Sequence, residues 1–345
     1  CMLTEKTKGL HMSAAPWQQE WQNAIRHPAS LLERLGLDAS LLGPARRADQ
    51  LFGLRVPEAF LARMEAGNPA DPLLRQVLPV DAESADTPGF ADDPVGDHAS
   101  LANGGVIHKY HGRALLIATG ACAINCRYCF RRHFPYADAS ASSGQWAEAL
   151  DYLRGDPSIS EVILSGGDPL SLNDRRLGEL SEGLVSIPHL RRIRVHSRMP
   201  VVLPSRIDES LIGWLAGTRL TPVMVIHANH PNELDTRVAD ALQRLARHGV
   251  RLYNQSVLLR GINDDAQILE ALGERLFEIG VQPYYLHLLD RVRGAAHFEV
   301  DEREAGELMR ALAAVTPGYM LPRLVREVAG EPWKVPIEWT TGDAR

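Results

Sequence analysis

The sequence predicts an α/β fold: a partial (β/α)6 barrel with a helical N-terminal region before it and a short C-terminal segment after it. Three observations predict it. From Ala114 onward, six short aliphatic or β-branched runs alternate strictly with longer amphipathic stretches, the pattern of strand–helix units in a parallel sheet. Most of the runs are apolar throughout, which implies strands covered on both faces. The residues able to do chemistry follow those runs, and a barrel carries its function at the C-terminal ends of its strands.

The elements follow in order. The first eleven residues, "CMLTEKTKGLH", lack the apolar core of a signal peptide and read as an expression scar, with the natural start at Met12 and Cys1 outside the chemistry. A helical region and linker are expected over 12–96: apolar residues recur at helical spacing from Trp17 to about Leu78, and "DAESADTPGFADDPVGD" from Asp81, acidic and rich in turn formers, reads as a linker or long loop. The barrel is expected over 97–315. Its strands are "ALLIAT" from Ala114, "EVILS" from Glu161, "RIRVHS" from Arg192, "PVMVIH" from Pro222, "RLYNQSVLL" from Arg251 and "QPYYLHLL" from Gln282. Residues 316–345 no longer repeat the unit and form the C-terminal segment.

Composition narrows the function classes. Hydrophobic residues make up 45% and charged ones 23%, the balance of a globular enzyme. A net charge of -6 argues against general nucleic-acid binding, which needs a basic surface. No apolar run approaches the roughly 18 residues of a membrane span. The four cysteines are too few and too crowded for a secreted disulfide framework, and they suit a reducing cytosol and a metal.

Apart from Cys1, every cysteine lies in "ACAINCRYCFRR": Cys122, Cys126 and Cys129, spaced C-x3-C-x2-C in the loop after the first strand. Three thiolates can wrap one iron–sulfur cluster and leave one iron open to a cosubstrate. A structural zinc site needs a fourth ligand, which His133 offers, so a zinc-stabilised binding module is the alternative of another class.

With Tyr128 directly before its last cysteine, the motif resembles that of the radical S-adenosylmethionine superfamily. "LSGGDPL" after the second strand resembles the superfamily's Gly-Gly-Glu-type motif, which implies that Gly166, Gly167 and Asp168 hold the cosubstrate. Further segments, "SRMPVVLPSRI", "HANHPNE", "YNQSVLLRGIND", "GAAHF" and "GEPWKVP", narrow the resemblance to the lysine 2,3-aminomutase family. It covers about Phe60 to Pro336.

This resemblance implies a 4Fe-4S cluster, S-adenosyl-L-methionine and pyridoxal 5′-phosphate as cofactors. Lys334 matches the lysine that holds pyridoxal, although Glu331, Pro332 and Trp333 replace the family's usual glycines. By the same resemblance Arg113 and Tyr110 contact that cofactor, and Tyr128, Asn254 and Gln255 stand near the cosubstrate. Arg131 matches the position that grips the substrate's α-carboxylate, a bidentate task suited to guanidinium. Asp290 and Glu327 match two carboxylates around the ε-ammonium of lysine. Glu327 also has Arg323 and Arg326 nearby as ordinary ion-pair partners, and Asn254 and Gln255 are equally readable as satisfied core amides. His227 and His230, after the fourth strand, are candidates to line the site, with structural loop histidines as the alternative.

The implied reaction is a radical 1,2-amino migration converting (S)-α-lysine to (R)-β-lysine. A chain ending eleven residues after Lys334 resembles the branch that supplies elongation factor P modification. The implied partners are L-lysine, an electron donor such as flavodoxin or ferredoxin, and an elongation factor P lysyl-transferring ligase. The alternative within the family is catabolism or osmolyte synthesis.

Overall fold

The structure, a computed structural model, describes residues 15–136 and 145–340. The expectations for the first eleven residues lie outside the described residues. Ten strands form one sheet in chain order. The six expected strands are β3 (Arg113–Thr119), β4 (Glu161–Gly166), β5 (Arg192–Ser197), β6 (Thr221–Ile226), β7 (Arg251–Val257) and β8 (Gln282–His287), each parallel to the next. Two short strands, β1 (Leu101–Ala102) and β2 (Val106–Tyr110), lead in antiparallel. At the other edge β9 (Arg323–Arg326) pairs parallel with β8, and β10 (Val335–Pro336) folds back on β9. Among the described residues no pairing joins β1 to β10, so the sheet curves without closing into a full barrel.

The crossover helices are set by their caps. Asn173, Asp208, Asp235, Asp265 and Asp301 each accept a backbone N–H in the first turn of the helix they open. Such a cap stabilises a helix by about 1 kcal/mol and fixes where each strand-to-helix loop ends.

Three expectations need correction. β5 is not apolar throughout: Ile193 and Val195 are buried in the wall, while Arg192, Arg194 and His196 line an internal cavity, because a curved sheet has a hollow inner face. The C-terminal segment is not separate, since Arg323–Arg326 extends the parallel sheet. The acidic stretch from Asp81 is the long loop and not a free linker: Glu83 and Asp97 are buried within it, each held by cationic side chains from the barrel. The N-terminal helices share one apolar core with the barrel, with Trp17, Leu31 and Leu73 in the same cluster as Met199 and Val201. No helix among the described residues is long and apolar enough to cross a membrane.

Candidate active site

A cavity of about 830 Å³ runs inside the curved sheet and is lined by all three motif cysteines and by Lys334. Residues more than two hundred positions apart in sequence thus face one space. Of the residues expected at the site, Tyr110, Arg113, Tyr128, Arg131, Gly166, Gly167, Asp168, Gln255, Asp290 and Glu327 also line it. Asn254 does not.

At the cysteine end, the loop after β3 is tied down by the N-terminal region. The Cys122 carbonyl accepts from Trp21 Nε1 at 3.2 Å and from Arg55 Nη1 at 2.8 Å. Below it, Arg127 and Arg132 both donate to the buried carboxylate of Glu83, at 2.5 and 2.7 Å. The glycines at the end of β4 allow close packing: Gly166 has φ +116, and a Cβ on Gly167 would come within 2.6 Å of the Ala121 carbonyl. Their neighbour Asp168 accepts from Ser197 Oγ and from the amides of Leu170, Arg198 and Met199, between 2.7 and 3.1 Å. Burial pushes its pKa up, and these donors oppose that shift. Its carboxylate therefore ties two strand ends together while the residue lines the cavity.

The cysteines are free, and burial pushes Cys122 well up and Cys129 to about 11, with the neighbouring Cys126 adding to the latter. Thiols of this kind are not poised as nucleophiles; metal binding would have to displace their protons. Among the described residues, no three His, Cys, Asp or Glu side chains converge on a single metal ion. A cubane asks instead that each thiolate reach its own iron. His133, the fourth ligand of the zinc alternative, lies 3.2 Å from the carbonyl of Arg293.

At the lysine end, charges alternate in a chain. Lys334 Nζ donates to Glu327 Oε2 at 2.6 Å, and the other Glu327 oxygen accepts from Tyr110 Oη at 2.6 Å. Lys109 Nζ lies 3.6 Å from Glu327 and 2.7 Å from Asp97, whose second oxygen accepts from Arg131 Nε at 2.8 Å. Burial would raise the Glu327 pKa, but the charge and hydrogen bond of Lys334 outweigh it and keep the group ionised. Glu327 therefore pairs with the expected cofactor lysine and not with Arg323 or Arg326; Arg326 pairs with Glu302 at 3.0 Å. Arg131 Nη1 donates to Ser165 Oγ and the Gly166 carbonyl, so two of its nitrogens are engaged by protein, a narrower reach than the expected bidentate grip. The Arg113 guanidinium lies 4.4 Å from the centre of the Tyr110 ring.

Asp290 Oδ1 is buried without a hydrogen-bond partner, and burial pushes its pKa up to about 7. His196 Nε2, Arg194 Nε and Arg198 Nε are orphaned in the same way, and all four residues line the cavity. An unpaired buried polar group costs about 1–3 kcal/mol, so four around one hollow mark the outline of a polar ligand.

Neighbours on β7 part company. The Asn254 amide is spent on the Ala228 backbone and Ser256 Oγ, between 2.9 and 3.1 Å, because odd and even positions of a strand face opposite ways. His230 accepts from the Asn232 amide at 3.2 Å and caps a turn, whereas His227 lines the cavity and stacks on Tyr128 with ring centres 5.7 Å apart. Sequence reasoning missed Asp97, Lys109, His196, Arg198, Tyr284 and His287. Arg198 carried a signal, since it directly follows the third expected strand.

Residues 116–272 match the model of the Radical SAM superfamily. The L-lysine 2,3-aminomutase of Escherichia coli (strain K12) is 48% identical over 327 residues, covering 94% of this chain and 95% of that protein. The chain belongs to the L-lysine 2,3-aminomutase family. Its Haemophilus influenzae relative is also 48% identical, over 92% of this chain and 95% of that one, and the Clostridium subterminale relative is 34% identical, over 94% and 79%. Membership of the radical SAM superfamily implies a 4Fe-4S cluster and S-adenosylmethionine, and the residues fit both. Three thiols stand at one end of a cavity rimmed by unpartnered polar atoms, with His227 and Gln255 on its walls.

Proposed function

We propose that the chain is a pyridoxal phosphate-dependent lysine 2,3-aminomutase, an isomerase that turns (S)-α-lysine into (R)-β-lysine. The observation that carries this reading is the single cavity shared by Cys122, Cys126, Cys129 and Lys334, with the unpaired carboxylate oxygen of Asp290 on its wall. When bound, the cluster with S-adenosylmethionine would supply radical chemistry and pyridoxal phosphate would supply a carrier for the amino group.

The protein's own part is holding and shielding. Cys122, Cys126 and Cys129 would hold the cluster, and Lys334, whose amine Glu327 fixes by a 2.6 Å bond, would hold the pyridoxal. Tyr110 and Arg113 stand beside that lysine's partner to receive the cofactor. Arg131, oriented by Asp97, offers its remaining nitrogen to the α-carboxylate. Asp290 accepts the ε-ammonium, which draws its carboxyl back to the charged form. His196, His227 and His287 are held neutral by burial, so they add no positive charge to repel lysine.

The similarity to the Escherichia coli and Haemophilus influenzae L-lysine 2,3-aminomutases supports the reaction; we further propose that β-lysine is passed to an elongation factor P ligase and that electrons come from a flavodoxin or ferredoxin. Anaerobic incubation of reconstituted protein with L-lysine, S-adenosylmethionine and reductant tests the activity. β-Lysine is the expected product; its absence from protein with a full cluster overturns the reading. Lys334→Ala is expected to abolish the visible band of lysine-bound pyridoxal.

A further inference from the structure

Behind the cysteine loop lies a buried polar network that reaches the cavity at Arg198. Its centre is Arg198, only 7% exposed, at the end of β5. One terminal nitrogen, Nη1, lies 2.7 Å from Cys126 Sγ. The other donates to Glu233 Oε2 at 2.9 Å and to Gln76 Oε1 at 2.6 Å. Glu233 is fully buried and is itself fixed by the amides of Asn229 and His230 and by the Gln76 amide. Gln76 comes from the N-terminal helical region and Glu233 from the loop after β6, so three distant segments converge to aim one guanidinium at one sulfur. Among the described residues, Arg198 is the charged side chain that donates to a cysteine sulfur.

Guanidinium stays charged in proteins, so the contact is a permanent cationic donor to a ligand of the expected cluster. Reducing a cluster by one electron increases the negative charge on its sulfurs. A cationic donor at Cys126 therefore stabilises the reduced state more than the oxidised one and raises the reduction potential. Glu233 acts in the opposite sense, because its buried carboxylate offsets part of the Arg198 charge.

We propose that Arg198 is a positioning residue that sets the reduction potential of the cluster through Cys126, with Glu233 as its counter-charge. This rests on the cluster implied by the superfamily and is independent of pyridoxal and of the amino acid substrate.

The test is a redox titration of reconstituted full-length protein without S-adenosylmethionine, following the reduced cluster by electron paramagnetic resonance, with iron and sulfide measured in each sample. Arg198→Met is expected to lower the reduced-to-oxidised ratio at a fixed potential about tenfold, equivalent to ~59 mV for a one-electron couple. Arg198→Lys, which keeps the charge, should shift it less in the same direction. Glu233→Gln should shift it the other way, raising the ratio. A purely structural network would not give opposite signs. If Arg198→Met fails to load iron, the sign of the Glu233→Gln shift decides alone: a raised ratio supports the proposal and an unchanged one overturns it. Unshifted midpoints in loaded variants, or shifts of one sign in both Arg198→Met and Glu233→Gln, also overturn it. A wild-type chain that forms no cluster would overturn the cluster reading itself.

Discussion

The two ends of the cavity differ in how their polar groups are treated. Around the cysteines, most polar groups are answered by protein: Glu83 is clasped by Arg127 and Arg132, Asp168 by four donors, and Arg198 Nη2 by Glu233 and Gln76, while Nε of Arg198 and of Arg132 has no partner. Towards Asp290, His196 and Arg194, buried polar atoms are left without partners. The cysteine end is built to be rigid before any ligand arrives. Asp290, His196 and Arg194 each keep one donor or acceptor unspent, at a cost in stability that a bound ligand relieves, although Lys334, Glu327 and Tyr110 near them are paired.

Variants can sharpen this contrast or break it. The largest effect is expected from Cys122→Ala, Cys126→Ala or Cys129→Ala, each of which should bring bound iron and sulfide, and with them activity, to background. Next is Glu83→Gln. It leaves two buried arginines without their anion and should cost about 3–5 kcal/mol of stability, read from urea unfolding of the cofactor-free chain.

At the open end the sign reverses. Asp290→Asn should raise KM for lysine about thirtyfold or more, since losing one partner of a buried charge pair costs ~2 kcal/mol or more. The same variant should make the ligand-free protein more stable at pH 8. The folded pKa of Asp290 lies near 7, above its ordinary value of 3.8, so the stability it contributes is present at low pH and lost as pH rises through 7. The gain from Asp290→Asn should therefore shrink towards pH 5, which paired thermal melts would read. Smallest is the contrast on β7. Asn254→Ala should cost about 1–3 kcal/mol of stability, because it orphans its buried partners. Gln255→Ala should leave stability nearly unchanged and weaken cosubstrate binding measured by equilibrium dialysis.

The same contrast explains what was legible in the sequence. The cysteine motif and "SGGDPL" are local, and each needs its residue types within one loop, so both could be read directly. The six parallel strands were equally plain, because their runs and caps repeat. The short β9 was not, since "RLVR" carries no pattern of its own and is a strand only because β8 presents an unpaired edge. Asp97 and Lys109 were hidden for a related reason. Each is an ordinary surface residue type, and their burial follows from meeting Arg131 and Glu327 across the fold. The part of Asp168 as a tie between strand ends was hidden because it depends on backbone amides, which no side-chain pattern reveals.

The central claim is that the cysteine trio and Lys334 serve one reaction in one cavity. L-Lysine carrying deuterium at its β-carbon, turned over anaerobically with unlabelled S-adenosylmethionine, tests it most directly. The account predicts deuterium at the 5′ carbon of the recovered adenosyl group, together with labelled β-lysine. Adenosyl groups that remain free of deuterium while β-lysine accumulates would contradict it.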